Sequence, residues 1–554
     1  MPEHPPRPGP PRDVRDRLRR TAEETFGWSD LSPEQLAAME HLLDGRDTLV
    51  VMPTGAGKSA IYQVPALLLP GPTVVVSPLI ALQHDQAAQI GDSEAPDAVA
   101  VNSAQRRTDS ERSWAAVGSG DAEYLFLAPE QLAKDEVVAE LRQVGPTLFV
   151  VDEAHCISVW GHDFRPDYLR LGHVVEQLGH PRVLALTATA SQPVRDDIVD
   201  RLGMRDPARV VAGFDRPELY LEVRRFADDD SKRAAVVDWT VAADKPGLVY
   251  AASRRDTERY AAELAARGIR AAAFHAGIDR AEKARVHERF LADELDVVVA
   301  TSAFGMGIDK PNVRFVAHAS APESLDSYYQ QIGRAGRDER RADAVLFYRP
   351  QDLGLQRFLT ARRFDADSVR EVAEAVRDHE GPASPQDVDR EVGHSHRRTM
   401  RSLDLLYDAD VLRPTAEGRF DLGREDPGTE EAVDRVAGEF ERRERLGRSR
   451  IEIMRHYAET RSCRRRYLLG YFGEPLERPC GFCDTCAAGT AQEHTTSAAT
   501  DAEFPADTRV RHREWGSGTV VYHEDDRLTV LFDDLGYRTL SMPAVRRGRL
   551  LTRE

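Results

Sequence analysis

The stretch "TLVVMPTGAGKS", Thr48 to Ser59, runs from an unbroken apolar segment straight into a glycine-containing loop. A short continuous apolar run of this kind is a buried parallel strand. The loop after it offers backbone N–H groups to phosphate oxygens at the start of a following helix, with Thr54, Gly55 and Gly57 forming the cradle. Lys58 is then placed to reach β- and γ-phosphates, and the Ser59 hydroxyl to hold Mg²⁺. Met52 stands where the strict form of the motif has its first glycine. The alternative, a chance glycine turn, has no use for a lysine and a serine at these offsets.

Working outward, "TVVVS", "YLFLA", "LFVVD" and "VLALT" repeat the strand signal, each followed by polar or glycine-containing turns. The rhythm restarts past residue 207 with "GLVYA", "AAAFH", "VVVAT", "RFVAH" and "AVLFY". Two successive α/β sheets are the economical arrangement, with ligands beyond the carboxyl ends of the strands. "LFVVD" ends on Asp152 and Glu153, where an acid for Mg²⁺ and a base for an attacking water are needed. A solvated strand end is the competing account of that pair. In "SYYQQIGRAGRD", Arg334 and Arg337 are three apart, so a helix would put them on one face toward a γ-phosphate. An arginine-rich solvated helix end is the plain alternative.

The chain has 554 residues and a formal net charge of −18, which calls for several domains and does not by itself advertise a polyanion partner. Only six lysines are present, so Lys58 stands out in an arginine-rich chain. No apolar run is long enough to span a membrane and the proline- and arginine-rich start is no signal peptide, so a cytoplasmic protein is expected. Five cysteines do not make a disulfide scaffold. Four of them, Cys463, Cys480, Cys483 and Cys486, are clustered as a closed tetrahedral Zn²⁺ site requires, and the metal is expected to be structural.

"MPTGAGKS", "DEAHCISVWGHDFRPDY", "LTATA", "VVATSAFGMGIDKPNVRFV" and "YYQQIGRAGRD" together resemble the superfamily 2 DNA helicases of the RecQ group, and "SCRRRYLLGYFGE" and "PCGFCDTC" resemble the family's zinc module. The resemblance implies ATP-driven DNA unwinding with 3′→5′ polarity, in the cleft between two RecA-like lobes. It implies that Trp28 stacks on the adenine ring and Gln35 reads its edge, a pairing for which an amide is suited. It places Gln330 and Asp309 near the nucleotide. It makes His155, Trp160, His162, Asp163, Phe164 and Arg165 an aromatic-rich loop that senses single-stranded DNA. Bases stack on aromatic rings without regard to sequence, so that loop has an independent physical logic; inter-lobe core is the competing account of Trp160 and Phe164. The family usually has arginine at the positions of Ser32 and Gln131, and glutamate at that of Gln331.

The expected layout is a disordered basic tail over 1–20, lobe 1 over 21–206, lobe 2 over 207–350, a winged-helix-like domain over 351–430, a zinc module over 431–487, a linker over 488–505 and a small β-barrel over 506–554. In the winged helix, the helix bearing His396, Arg397, Arg398 and Arg401 is a candidate for a DNA groove. The segment 441–466 carries ten arginines against four glutamates and suits a nucleic-acid backbone, with a self-paired solvated helix as its alternative. The barrel resembles the Tudor-like C-terminal module of UvrD/PcrA-type helicases, and a protein partner such as RNA polymerase is one expectation for it. Single-stranded and forked duplex DNA are the expected substrates of a monomer associated with the bacterial nucleoid. An RNA helicase, or a DNA-bound translocase that remodels protein complexes without separating strands, are the rival functions.

Overall fold

A computed structural model describes residues 12–491, except 79, 103–104, 159–164, 303, 305–309, 361–363, 416–418 and 424–425, and residues 503–554, except 507 and 525. The first lobe is a seven-stranded parallel sheet of β1 (Thr48–Val51), β2 (Thr73–Val76), β3 (Asp97–Val101), β4 (Ala122–Leu127), β5 (Leu148–Val151), β6 (Arg182–Thr187) and β7 (Ala208–Val211), in the order β3-β4-β2-β5-β6-β1-β7. The central strands β1, β2 and β5 are buried at every position, because helices cover both faces, and this is why they read as unbroken apolar runs. Strand β7 pairs with β1, so the first sheet continues to Val211, past the boundary expected at 206.

The second lobe has six parallel strands: β8 (Leu219–Arg225), β9 (Gly247–Tyr250), β10 (Ala271–Phe274), β11 (Val297–Ala300), β12 (Phe315–His318) and β13 (Ala342–Tyr348), in the order β10-β11-β9-β12-β13-β8. The expected tail is in part a helix. Arg12–Phe26 is helical, with Leu18 and Ala22 fully buried against the first lobe's core, so the proline-rich composition ends where an amphipathic face begins.

Beyond the lobes, the winged-helix expectation is matched in element order by helices Ala366–Asp378, Pro385–Val392 and His396–Asp408 and the hairpin β14 (Leu412–Pro414) and β15 (Phe420–Leu422). Ser384 caps the second helix through a reciprocal box with Asp387. The third helix turns one face toward the first lobe rather than lying wholly open. Met400 Sδ is 4.0 Å from Arg170 Nη2, and Asp408, two turns further, is 3.9 Å from Arg201. His173 Nε2 meets the Thr415 carbonyl at 2.8 Å, and Arg170 stacks over Phe420. His396, Arg398 and Arg401 remain exposed.

The long helix Thr429–Glu459 and helix Arg464–Tyr471 contain the arginine-rich segment, and there the self-paired alternative prevails. Arg442 and Arg443 pair with Glu439, Arg448 with Glu444, and Arg455 with Glu459, at helical spacing. Arg464 and Arg465 are buried on Asp484 and Asp215. Where a small β-barrel was expected, the C-terminal unit is a five-stranded antiparallel sheet of β16 (Arg509–His512), β17 (Gly516–Glu524), β18 (Arg527–Phe532), β19 (Gly536–Ser541) and β20 (Leu551–Arg553), in the order β19-β18-β17-β16-β20. Its first reversal falls at Arg513–Trp515, just ahead of the expected turn at Gly516–Gly518. Among the described residues no helix is long and apolar enough to cross a membrane.

Candidate active site

The loop after β1 turns sharply because Gly55 and Gly57 take φ values of +88° and +68°, a region closed to most side chains. Lys58 is half-exposed at the residue level, yet its ammonium donates to the carbonyls of Met52 and Pro53, both at 3.2 Å. Loss of solvent pushes its pKa down, while the charges of Glu153 and Asp152 oppose that shift. Asp152 lies buried at the end of β5. Burial first, and the neighbouring Glu153 second, raise its carboxyl to about 7, against the pull of Lys58. A cation delivered to this point would favour the ionised form.

Glu153 adopts φ +49°, the left-handed region that a non-glycine residue enters at a cost of about 1–3 kcal/mol. His155 Nδ1 stands 3.3 Å from Glu153 Oε2 and 3.0 Å from the Thr187 hydroxyl at the end of β6. The buried imidazole thus ties the acidic pair to the "LTATA" segment. Tyr168 donates its hydroxyl to the Asp152 carbonyl at 3.0 Å, and Gln86 Nε2 lies 3.4 Å from Ser59 Oγ. Sequence reasoning assigned no role to Tyr168 or Gln86. Tyr168 closes the quoted "FRPDY", whereas nothing local marks Gln86 in its helix Ile80–Gly91.

Gln35 serves two purposes with its two amide atoms. Its Oε1 accepts from the Ser32 backbone N–H at 2.8 Å, completing a capping box, and its Nε2 donates to the carbonyls of Ala56 and Gly57 at 3.2 and 2.9 Å. Ser32, where the family usually has arginine, is the N-cap of helix Pro33–Leu43. Trp28 stacks on Phe26, ring centroids 4.6 Å apart and planes 13° from parallel, a partner the sequence reading passed over.

From the second lobe, Arg337 reaches the phosphate loop: a Cβ built on Gly55 would meet its Cδ at 3.2 Å. Arg334 is buried beside the Tyr250 hydroxyl. The expectation that both sit on one helix face is corrected. The helix ends at Ile332, and the arginines follow in turns around Gly336, whose φ is +67°. Gln330 is buried on that helix, and its neighbour Gln331 accepts from His318 Nε2 through Oε1 at 2.7 Å.

Trp160, His162, Asp163, Phe164 and Asp309 lie outside the described residues. The flanks of the aromatic-rich loop are described, and they are tied beside the acidic pair. Arg165 donates from its backbone to the Cys156 carbonyl at 2.9 Å and from its guanidinium to the Pro78 carbonyl at 3.1 Å. Ser158 Oγ donates to Asp197 at 2.6 Å.

The sulfurs of Cys463, Cys480, Cys483 and Cys486 all lie within 4.8 Å of one another, and those of Cys480 and Cys486 are 4.0 Å apart. A tetrahedral Zn²⁺ with bonds of about 2.3 Å needs sulfurs about 3.8 Å apart, so the set fits this ion. Backbone N–H groups of Cys480 and Phe482 donate to Cys463 and Cys480 sulfurs at 3.2 and 3.3 Å, as thiolates favour. The module is joined to the second lobe's edge strand: Leu221 bridges to Cys483, and Val223 N–H donates to Asp484 at 2.9 Å.

Three family models match the chain: DEAD/DEAH box helicase over 32–197, helicase conserved C-terminal domain over 231–339 and RecQ zinc-binding over 430–487. Among similar proteins, the probable ATP-dependent DNA helicase RecS of Bacillus subtilis is 33% identical over 472 residues, covering 85% of this chain and 91% of its own. The ATP-dependent DNA helicase RecQ of Pasteurella multocida is 35% identical over 463 residues, covering 83% of this chain and 61% of its own. In fold, the helicase MrfA bound to DNA superposes with a TM-score of 0.52 at 17% identity, over 76% of this chain and 60% of that one. With the phosphate loop, the acidic pair, the opposed arginines and the four-cysteine module in one chain, and relatives of this likeness along most of its length, the protein belongs to the RecQ family of ATP-dependent DNA helicases.

Proposed function

We propose that the chain moves 3′→5′ along single-stranded DNA and opens forked duplexes in repair, recombination or replication restart, hydrolysing ATP between Lys58 and Arg337. The observation that supports this assignment of roles is the approach of Arg337 from the second lobe to Gly55 of the phosphate loop. Lys58, with the N–H groups of Gly55, Gly57 and Ser59, holds the phosphate chain. Trp28 and Gln35 hold the adenine. Gln330 and Asp309 complete the nucleotide's surroundings from the second lobe.

Glu153, oriented by His155, accepts a proton as water attacks the γ-phosphorus. The bond to the β,γ-bridging oxygen breaks, and ADP leaves with that electron pair. Arg334 and Arg337 meet the charge that develops on the transferring group, an interaction stronger in the transition state than in the ground state. Ser59 and Asp152 are the residues suited to Mg²⁺, which would neutralise phosphate charge. His155, Trp160, His162, Asp163, Phe164 and Arg165 couple DNA to this step: the loop's flanks are tied to Cys156 and Asp197, close to the acidic pair, so a strand stacked on the loop pulls on Glu153. The protein acts as a nucleoid-associated monomer. The barrel's outer strand β20, with Thr552 and Arg553 exposed, is the edge left for a protein partner such as RNA polymerase.

The test is strand separation on 3′-tailed and 5′-tailed duplexes with ATPase in parallel. Unwinding of the 3′-tailed substrate alone, abolished by Lys58→Ala and reduced by Trp160→Ala with DNA-independent ATPase retained, is the expected result. DNA-stimulated ATPase without unwinding on either substrate would replace it with a translocase that remodels bound proteins.

A further inference from the structure

The C-terminal barrel is built into the motor rather than hung from it. Strand β19 lies along helix Thr429–Glu459, where a Cβ added to Gly536 would stand 2.3 Å from Ser449 Oγ and 2.9 Å from its Cβ. Gly536 also takes φ +72°, so backbone and packing both require glycine there. The next residue, Tyr537, is buried. Its hydroxyl is 3.1 Å from that of Tyr471 in the zinc module, and Tyr471 donates to Asp326 Oδ2 at 2.6 Å. The buried Ser191 of the first lobe neighbours the Tyr537 hydroxyl. One buried hydrogen-bonded chain therefore links the barrel, the zinc module and the second lobe. Asp326 sits in the first turn of helix Leu325–Ile332, and the chain leaving that helix carries Arg334 and Arg337.

We propose that Tyr537 is a positioning residue for ATP hydrolysis, acting through Tyr471 and Asp326 to fix the helix that delivers Arg334 and Arg337 to the cleft. A buried carboxylate is stable only while its hydrogen-bond donors are in place, so it resists displacement of the helix that bears it. Loss of the outer hydroxyl frees Tyr471 to turn and loosens that hold. The arginines act on charge that forms in the transition state, so a small displacement lowers kcat and leaves KM for ATP near its starting value. The inference rests on the role given above to Arg337.

The experiment is steady-state ATPase of the full chain at saturating single-stranded DNA, for Tyr537→Phe, Gly536→Val, Arg337→Ala and the exposed barrel variant Arg511→Ala. Circular dichroism and thermal melting accompany each to confirm folding. Tyr537→Phe keeps the ring and loses one hydrogen bond, so kcat falls about 3- to 10-fold with KM for ATP within about twofold. Gly536→Val, which drives β19 off the long helix, lowers kcat at least as far, and Arg511→Ala matches wild type. Should Gly536→Val fail to fold, Tyr537→Phe decides alone. Wild-type kcat in Tyr537→Phe, beside a collapse in Arg337→Ala, overturns the inference and leaves the arginine assignment standing. Wild-type kcat in Arg337→Ala removes both.

Discussion

The two lobes share a parallel-sheet plan but hold their chemistry in place differently. In the first, the groups that matter are placed by their own lobe: Lys58 by the carbonyls of its loop, Asp152 by Glu153 N–H, and His155, 3.3 Å from Glu153, by the Thr187 hydroxyl across adjacent strands. In the second, Arg334 and Arg337 follow the helix in irregular turns, and support comes from outside the sheet. The zinc module extends edge strand β8, Arg465 donates to the Leu219 carbonyl at 2.6 Å, and Tyr471 reaches Asp326. On the proposed assignment of roles, a site preassembled on one lobe and completed by the other would couple hydrolysis to lobe closure. The bracing of the second lobe makes the distal modules part of that coupling.

The largest effect is expected from removing zinc. Structural Zn²⁺ binding in small thiolate modules is worth on the order of 10 kcal/mol, enough to decide whether the module folds. Chelation, or Cys483→Ser, should raise hydrogen exchange in β8 and helix Leu325–Ile332 while β1 and β5 keep their protection. Equal protection of both sheets would break the contrast between a self-supported lobe and a braced one. Next, Arg337→Ala should lower kcat of the DNA-stimulated ATPase about 10³-fold, the low end of the effect of a transferred arginine. Nucleotide binding, measured with a non-hydrolysable analogue, should change far less.

Legibility followed the same division. The central strands and the phosphate loop are announced by contiguous residues, because full burial on both faces demands an unbroken apolar run and phosphate binding demands glycine beside lysine. The edge strands β7 and β8 were missed because "ARVV" and "LYLEVRR" are only partly covered and carry arginines. The helical-face argument for Arg334 and Arg337 failed because the helix stops at Ile332, before either arginine, and turns that include Gly336 at φ +67° bring Arg337 to the phosphate loop. The four cysteines were legible from their clustering together with the resemblance of "SCRRRYLLGYFGE" and "PCGFCDTC" to the family's zinc module. The contacts of Tyr537 were not, since Tyr471 and Asp326 lie far from it in sequence and nothing near Tyr537 signals them. The self-pairing of the long helix was written in its Glu-to-Arg spacing, although the segment 441–466 carries ten arginines against four glutamates.

A smaller effect concerns the second lobe's interior. His318 is buried among Tyr250, Tyr328 and Gln331, and burial holds its pKa down to about 4, with Gln331 opposing. The folded form therefore binds fewer protons than the unfolded chain between pH 6.5 and 4. Stability from this group is complete above pH 6.5 and is lost as pH falls toward 4, by about 2 kcal/mol between pH 7 and 5. Asp152, raised to about 7, acts with the opposite sign in the first lobe. Urea unfolding of wild type and His318→Gln at both pH values isolates the histidine: the variant should lose about 2 kcal/mol less on acidification.

The smallest effect separates two roles of one side chain in the self-supported lobe. Gln35 caps its helix through Oε1 and meets the phosphate loop through Nε2. Ser32→Ala removes the cap alone and should cost about 1 kcal/mol of stability, with KM for ATP nearly unchanged. Gln35→Glu keeps an acceptor for the Ser32 N–H but turns the donor facing Gly57 into a second acceptor. That change sets an oxygen against the Ala56 and Gly57 carbonyls and should lower melting modestly, raise KM for ATP about tenfold and shrink the preference for ATP over GTP, because a carboxylate cannot donate to adenine N7. Were Gln35→Glu to lose stability while keeping nucleotide preference, the residue would belong to the fold of the first lobe and the adenine contact would have to come from elsewhere in the cleft.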